Sequence, residues 1–394
     1  MTLFASLFRR SSCSVWPVCA LALAAALPAS AETATNAAPA VYELLHSFDV
    51  WDGYNFRHTL VIGDDGRVRG GDGRAFRIDR SGDGFAVLND FTKRRLGRWP
   101  QGQVLASDGK YYGVAAEGGD LGGGTVYRMT PGGKVTLLHA FDPNSTSAGN
   151  PHAPLLEAAD GAFYGTTNGI VNGPCGSLFR LTRAGEFSVL HPFSHDPGNG
   201  CTPDAMKLTQ ARDGSIYGVT EYGGAFDRGT IYRWTRSGAW ELLYSFGAHG
   251  QGSHPRSGLV QGADGAFYGI TIFGGEHDTG MFYRFDPNTL TASFLTSFGA
   301  GGPAPVQPNG ELLLARDGLF YGTTMYGGKN ESGTVYRVTP AGEMTTIFSF
   351  PGRGTQQSVM PMAGLVEGRD GEFFGTTETG GEFNHGTLYR LKLK

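Results

Sequence analysis

The chain has 394 residues, a formal net charge of −4, 63 glycines and 20 prolines. This weakly acidic balance offers no basic face for a nucleic acid and excludes that class of partner. Glycine and proline together stay below the share typical of disordered chains, and aromatic residues recur at regular spacing, so we expect an ordered protein rich in tight turns.

The first 31 residues have the features of a secretory signal peptide. Arg9 and Arg10 precede an apolar run from 15 to 27, and Ala29-Ser30-Ala31 provides a small-residue cleavage site. The apolar run is too short to span a bilayer. We therefore predict an exported protein, periplasmic or extracellular, whose mature chain has no membrane span.

After a short linker at 32–40, the chain consists of one repeated unit, which is clearest from Asp317 to Phe350. Short runs rich in aromatic and β-branched residues alternate with turn signals, a pattern that predicts antiparallel strands. The pair Asp317-Gly318 is a hairpin signal. The four strands of this unit are predicted at 311–315, 319–324, 333–339 and 343–350.

Seven copies can be counted by their Asp-Gly turns, which begin at Asp65, Asp108, Asp160, Asp213, Asp264, Asp317 and Asp370. A period of about fifty residues with four strands is typical of a β-propeller, because each small sheet buries its two apolar faces only against its neighbours. The last copy lacks its fourth strand, and the segment 41–48 resembles the fourth strand of another copy, at 240–246. We predict an all-β fold, a seven-bladed propeller of four-stranded antiparallel blades closed by the N-terminal strand, in a single domain at 41–394.

The two faces of this ring are expected to differ. The Asp-Gly and Pro-x-Gly turns are short and share one face, whereas the Gly-Gly loops and the inter-blade connections are long and share the other, which we call the loop face. Binding sites in such scaffolds usually lie on the side with the variable loops.

One position on the loop face varies between copies in a way that suggests chemistry. After the proline that ends each long connection stand His152, Asp204, Arg256, Asn309 and Met362. These residues begin the first strand of a blade, beside the central channel. They are either a ring of ligand contacts or solvated residues at a strand start.

Cys175 and Cys201 are the two cysteines that follow the signal peptide, and both fall in loops of the same face. An exported compartment permits disulfides, so we predict that these residues pair. Two free thiols are the alternative. Zinc binding is less favoured, because no CxxC or HxxxH spacing accompanies the cysteines.

The motif YGTT-x-x-GG-x(4)-GT-x-YR with a following SF occurs from Tyr321 to Phe350 and returns with variations in the other six copies. It resembles the GloVer repeat of exported bacterial proteins. The resemblance covers nearly the whole chain after the signal peptide, but it implies little about activity.

The chain is also similar to seven-bladed propeller polysaccharide lyases of the ulvan lyase type, which cleave at uronic acids. This resemblance implies catalytic roles for His152, Tyr217 and Arg233, and a regular hairpin would set Tyr217 opposite Arg233. In β-elimination, Arg233 and Asn172 would neutralise the uronate carboxylate. His152 or Tyr217 would take the C5 proton, and Tyr217 would return one to the leaving oxygen.

Three functions stay open at this point. A uronate-specific polysaccharide lyase is favoured, with an acidic polysaccharide as its partner. We expect a monomer that requires no cofactor, and a structural or bridging divalent cation stays open. A non-catalytic carbohydrate- or protein-binding propeller of the cell envelope is the alternative. A glycoside hydrolase that uses loop carboxylates such as Glu221, Glu276 and Glu382 is the third. The expected substrate contacts of the lyase are Asp204, His254, Arg256 and Asn309.

Overall fold

The computed structural model describes residues 40–52, 59–91, 94–145, 149–168, 175–203, 207–247, 251–299, 303–352, 359–369 and 371–393. The predicted signal peptide lies outside these residues, as does the linker up to residue 39. The described residues belong to one compact unit, Ala37–Lys394. Among them, no helix has the length and the apolar character that a membrane crossing requires.

The described strands form seven four-stranded antiparallel sheets, which confirms the predicted propeller. We number these blades in chain order and name the strands of each blade first to fourth. The first strands are Val61–Ile62, Arg98–Leu105, Leu156–Glu157, Thr209–Gln210, Val260–Gln261, Leu313–Leu314 and Val366–Glu367. The second strands are Val68–Asp72, Tyr111–Glu117, Phe163–Thr167, Ile216–Thr220, Phe267–Phe273, Phe320–Gly327 and Glu372–Thr377.

The remaining strands complete the blades in the same order. The third strands are Arg74–Ile78, Thr125–Met129, Ser177–Leu181, Thr230–Trp234, Met281–Asp286, Thr334–Val338 and Thr387–Lys392. The fourth strands are Ala86–Asp90, Val135–Ala140, Phe187–Pro192, Trp240–Ser245, Thr291–Ser297, Met344–Ser349 and, for blade 7, Val41–Ser47. Four short strands add to this frame, Gly200–Cys201, Tyr222–Gly223, Ser253–Pro255 and Pro305–Pro308, and a 3-10 helix covers Arg94–Leu96.

The N-terminal strand closes the ring. It runs antiparallel to the third strand of blade 7, with Val41 opposite Lys392 and Ser47 opposite Thr387. Directly after it, Phe48 is fully buried and packs against Phe76 of blade 1, with ring centroids 5.3 Å apart. The strand therefore supplies the missing edge of the last blade and contacts the first one.

The Asp-Gly turns explain one part of the repeat. In blade 5, Asp264 accepts a hydrogen bond from the Ala266 N–H (3.2 Å) and another from the Tyr268 hydroxyl (3.1 Å), and blades 3 and 6 repeat the second contact. Gly265 has a φ of +84°, which a side chain would oppose. The recurrent aspartate thus fixes both the turn and the tyrosine of the second strand.

Stacked aromatic rings join neighbouring blades near these turns. The tyrosine of one second strand packs on a phenylalanine of the next, with centroid distances of 4.0 to 4.6 Å. The pairs are Tyr112–Phe163, Tyr217–Phe267, Tyr268–Phe320 and Tyr321–Phe373. The repeat therefore encodes the contact between blades as well as the blade itself.

Side chains of the first strands add a second inter-blade contact that the sequence did not reveal. Glu157, Gln210, Gln261 and Glu367 occupy the same position in four blades. Each accepts a hydrogen bond from a backbone N–H of the preceding blade, at 2.8 to 3.1 Å. This contact connects successive Asp-Gly turns around the ring.

Histidines stack between blades on the outer strands. His139 lies 3.9 Å from Phe187 and His191 lies 4.1 Å from Trp240, each with nearly parallel rings. Burial lowers the pKa of both histidines, and a hydrogen bond with Asn199 only partly opposes this for His191. Both rings are therefore neutral in the folded protein at neutral pH.

We expect this burial to make stability depend on pH. The unfolded chain binds protons at these histidines from about pH 6.5 downward, whereas the folded chain binds them only at lower pH, so the free energy of unfolding falls as pH drops from about 7 to about 5. Urea denaturation across this range measures the slope. The double substitution His139→Phe and His191→Phe keeps the stacks and should flatten it, while exposed His277→Gln should not. An equal slope in the wild type and the double variant would contradict this account.

Candidate functional site

A left-handed backbone precedes a proline at the entrance to six blades, on the loop face. The residues are Trp99, Asn150, Thr202, His254, Gln307 and Met360, with φ between 53° and 60°. Residues other than glycine rarely adopt this conformation, so the surroundings must hold it. The His254 N–H donates to the carbonyl of Arg228 in the preceding blade (2.9 Å). The side chains after each proline therefore begin from a fixed backbone.

Arg256, which follows one of these prolines, is anchored by a buried carboxylate. Its Nε lies 3.5 Å from Oε2 of Glu221 in the preceding blade. The Glu221 side chain is 7% exposed, whereas that of Arg256 is 42% exposed. Burial of the carboxylate fixes the arginine, and the exposed side of the guanidinium keeps donors for a ligand.

Three aromatic rings stand in a row beside this ion pair. Tyr222 and Phe273 hold the same position in blades 4 and 5 and are 39% and 37% exposed. His254 lies between them, with its centroid 5.1 Å from Tyr222 and 5.3 Å from Phe273, in edge-on geometry. We call Glu221, Tyr222, His254, Arg256 and Phe273 the loop-face cluster.

The charges of the cluster set the protonation of its rings. Burial lowers the pKa of His254, and the positive charge of Arg228 lowers it further. The negative charge of Glu221, followed by burial, raises the pKa of Tyr222. At neutral pH the site therefore presents a neutral imidazole and a protonated phenol.

This arrangement suits a sugar that carries a carboxylate. Exposed aromatic faces bind the apolar side of a ring, and the tyrosine keeps a polar tip for hydroxyl groups. An arginine binds a carboxylate through two parallel hydrogen bonds. The loop-face cluster offers both kinds of contact within one junction between blades.

Two of the residues predicted as substrate contacts, His254 and Arg256, belong to the cluster. His152 and Asn309 hold the position of Arg256 in blades 3 and 6, and both are half-buried. The predicted contacts Asn172 and Asp204 lie outside the described residues. The structure therefore gathers part of the expected ring at the junction between blades 4 and 5.

Tyr217 and Arg233 occupy the other end of blade 4. They form the expected cross-strand pair, with a guanidinium nitrogen 3.4 Å from the Tyr217 hydroxyl. Tyr217 is 2% exposed and packs on Phe267 of the next blade, while Arg233 donates to Glu241 (2.8 Å).

The height of this pair separates it from His152. In blade 5 the proline before Arg256 is level with Thr271, at the loop end of the second strand. Thr220 is the blade 4 equivalent of Thr271. Tyr217 lies three residues from Thr220 along the second strand, about 10 Å closer to the Asp-Gly turn. The structure therefore does not bring His152 together with Tyr217 and Arg233.

One member of the ring was missed in the sequence. Gln101 follows Pro100 and the left-handed Trp99, so it is the counterpart of His152 in blade 2. It is 6% exposed and donates to the carbonyl of Trp99 (2.8 Å). The sequence feature that could have identified Gln101 is its position directly after Pro100.

Several loop carboxylates have structural roles. Asp227 and Asp278 adopt left-handed conformations and accept hydrogen bonds from the first glycine of their Gly-Gly loops, at 2.8 and 2.7 Å. Asn384 makes the same contact with Gly380 at 3.0 Å. These side chains shape the loops, and Glu221 is committed to Arg256.

Cys175 and Cys201 form a disulfide, as predicted. The Sγ of Cys201 lies 3.5 Å from Nε2 of His195, and these three residues are the one described group with a spacing that could hold a metal ion. Because both sulfurs are consumed by the disulfide, they are not available as thiolate ligands in this state. The disulfide and the repeat fit an exported protein.

Comparison with known proteins supports the fold and its repeat. The family model of the Gloeobacter/Verrucomicrobia repeat matches residues 65–211 and 202–394. A search of curated proteins found no match.

Solved propellers resemble the chain at low sequence identity. Virginiamycin B lyase from Staphylococcus aureus has a TM-score of 0.59 at 14% identity, covering 90% of this chain and 99% of its own. Oligogalacturonate lyase from Vibrio parahaemolyticus has a TM-score of 0.58 at 13% identity, covering 91% and 99%. The extracellular domain of a hybrid two-component system from B. thetaiotaomicron has a TM-score of 0.60 at 10% identity, covering 91% and 42%. These similarities establish the fold and leave the activity to the residues of the site.

Proposed function

We propose that this chain, which belongs to the Gloeobacter/Verrucomicrobia repeat family, binds an acidic polysaccharide that contains uronate residues. The binding site is the loop-face cluster. The observation that carries this proposal is an arginine held by a buried glutamate beside two exposed aromatic rings, Tyr222 and Phe273.

Each part of the cluster has a role in this binding. Arg256 binds the uronate carboxylate, since its charge is supported by Glu221 and its outer donors face solvent. Tyr222 and Phe273 bind the apolar faces of sugar rings. His254 keeps these two rings in place from an inter-blade connection.

The test is a titration of the purified mature protein with polygalacturonate, alginate and a rhamnose–glucuronate polymer, with dextran as a neutral control. We expect at least one acidic polymer to bind and dextran not to bind. Arg256→Gln should weaken the affinity for the acidic polymer about tenfold or more, because a charge-assisted hydrogen bond contributes about 1.5–3 kcal/mol. Binding should also weaken as salt is added.

The matched control is Lys329→Gln, which removes one positive charge from an exposed loop of blade 6. It should leave the affinity unchanged. Equal losses in the two variants would mean that overall charge, and not the cluster, attracts the polymer. Absence of binding to every acidic polymer would contradict the proposal.

A second function, β-elimination of the bound uronate, is favoured by the edge-on contact of His254 with Tyr222. Two solved propellers of this fold are lyases by name, so the scaffold is compatible with such chemistry. The neutral His254 imidazole can accept a proton, and the protonated Tyr222 phenol can donate one.

The reaction would balance without water or a cofactor. Arg256 neutralises the carboxylate, which makes the C5 proton more acidic. His254 takes that proton, the C5–H electron pair forms the C4–C5 double bond, and the bond from C4 to the glycosidic oxygen breaks. Tyr222 donates its proton to the leaving oxygen, and solvent then returns both residues to their starting states. The products are an unsaturated uronate and a chain with a new hydroxyl end.

A further inference from the structure

A groove of about 410 Å³ lies on the short-turn face of the propeller, where blades 3 and 4 meet. Tyr164 and Ile216 line its floor, and Asp213, Trp234 and Arg236 line its wall and rim. It is on the opposite face of the ring from the loop-face cluster, because these residues lie at or beside the Asp-Gly turns. The proposed function does not use it.

The groove lies at a junction that lacks the tyrosine–phenylalanine stack. At four other junctions a tyrosine packs on Phe163, Phe267, Phe320 or Phe373 of the next blade. Blade 4 has Ile216 at that position. Tyr164 is consequently 8% exposed, compared with 0 to 2% for its four counterparts.

Trp234 is a second departure from the repeat, directly across the strand pair from Ile216. The equivalent residues in the other blades are apolar and fully buried: Ile78, Met129, Leu181, Phe285, Val338 and Leu391. Trp234 is only half-buried and lines the groove. A large flat ring has thus replaced a core side chain at the place where the stack was lost.

The polar rim also differs from that of blades 3 and 5. In blades 3 and 5 the turn aspartate binds the arginine of the third strand, as Asp160 binds Arg180 and Asp264 binds Arg284. In blade 4, Glu241 binds Arg233 instead. Among the described residues, Asp213 accepts a hydrogen bond only from the Ser215 N–H (2.8 Å), and Arg236 has no hydrogen-bonding or ion-pair partner.

We propose that this groove is a second carbohydrate site, which binds a neutral sugar residue. A sugar ring fits the combination, because its apolar face can pack on Trp234 while its hydroxyls donate to Asp213 and accept from Arg236. The volume is in the range of small-ligand sites. The charges of Asp213 and Arg236 offset each other on the rim, which favours a neutral sugar over a uronate.

The test is isothermal titration of the mature protein with cellohexaose, xylohexaose, mannohexaose, laminarihexaose and maltohexaose. We expect one or more to bind. Trp234→Ala should weaken that binding about tenfold or more, since aromatic stacking and burial of the ring are both lost.

Ile216→Phe introduces the side chain that blades 3, 5, 6 and 7 have at this position, and it fills the groove. It should abolish binding of the neutral oligosaccharide while raising the melting temperature by about 2 °C, since a stack is gained. Loss of binding with a gain of stability cannot result from misfolding.

Arg256→Gln should leave this binding unchanged, which separates the groove from the loop-face cluster. The proposal is overturned if none of the five oligosaccharides binds, or if the bound one is retained by both Trp234→Ala and Ile216→Phe.

Discussion

Removal of residues 41–48 is expected to prevent the chain from folding into a stable, soluble propeller. The third strand of blade 7 would lose its only partner on that side and become an exposed sheet edge. Tyr42, which stacks on Phe348 at 4.9 Å, and the fully buried Phe48 would be lost with the strand. Blade 7 would then lack part of its contact with blade 6 and blade 1.

Single substitutions give a graded form of this result. Phe48→Ala should cost about 3–5 kcal/mol of the free energy of unfolding, because it leaves a cavity between blades. The matched control is Trp51→Ala three residues away, where the ring is 71% exposed, and it should change stability by about 0.5 kcal/mol or less. Thermal and urea unfolding of both variants measure the difference.

A circular permutant completes the test of closure. Moving residues 41–52 behind Lys394 keeps the closing strand while changing its connection, so the permutant should fold. A truncated chain that unfolds cooperatively with the melting temperature of the full chain would show that the N-terminal strand is dispensable.

His254→Ala is expected to lower the rate of β-elimination about 10²- to 10⁴-fold, the usual effect of removing a general base. The measurement is the rise in ultraviolet absorbance of unsaturated uronates on the polymer that binds most tightly. The rate in the wild type should fall as pH drops through the pKa of His254, which burial and Arg228 place below the usual value. Only the neutral imidazole accepts a proton.

His152→Ala separates this assignment from the one that the sequence suggested. His152 begins blade 3, away from the cluster, so its substitution should leave both the rate and the melting temperature unchanged. A rate abolished by His152→Ala and retained by His254→Ala would return the catalytic role to blade 3. Absence of any absorbance change would remove the lyase and leave the binding function standing.

The fold was predictable because the same local sequence patterns recur in successive blades. The Asp-Gly turns, the Tyr-Gly strand and the N-terminal match to a fourth strand are local patterns, and they predicted the blade count, the closure and the position of Tyr217 opposite Arg233. The cysteine pair was predictable because both residues fall in loops of one face.

The site was only partly predictable because it depends on contacts between blades. Glu221 and Arg256 lie in different blades. His254 contacts Tyr222 because its own backbone, in a left-handed conformation, is hydrogen-bonded to the loop of the preceding blade. A local sequence pattern does not indicate how close two residues of different blades lie. For the same reason the sequence could not show that Tyr217 is buried against Phe267.

The most direct test of the account is a crystal structure of the mature protein with a short oligouronate taken from the polymer that binds most tightly. We expect the sugar to pack on the exposed rings of Tyr222 and Phe273, with its carboxylate within about 3.2 Å of the Arg256 guanidinium. An oligouronate bound elsewhere on the propeller, with the loop-face cluster open to solvent, would contradict the proposed function.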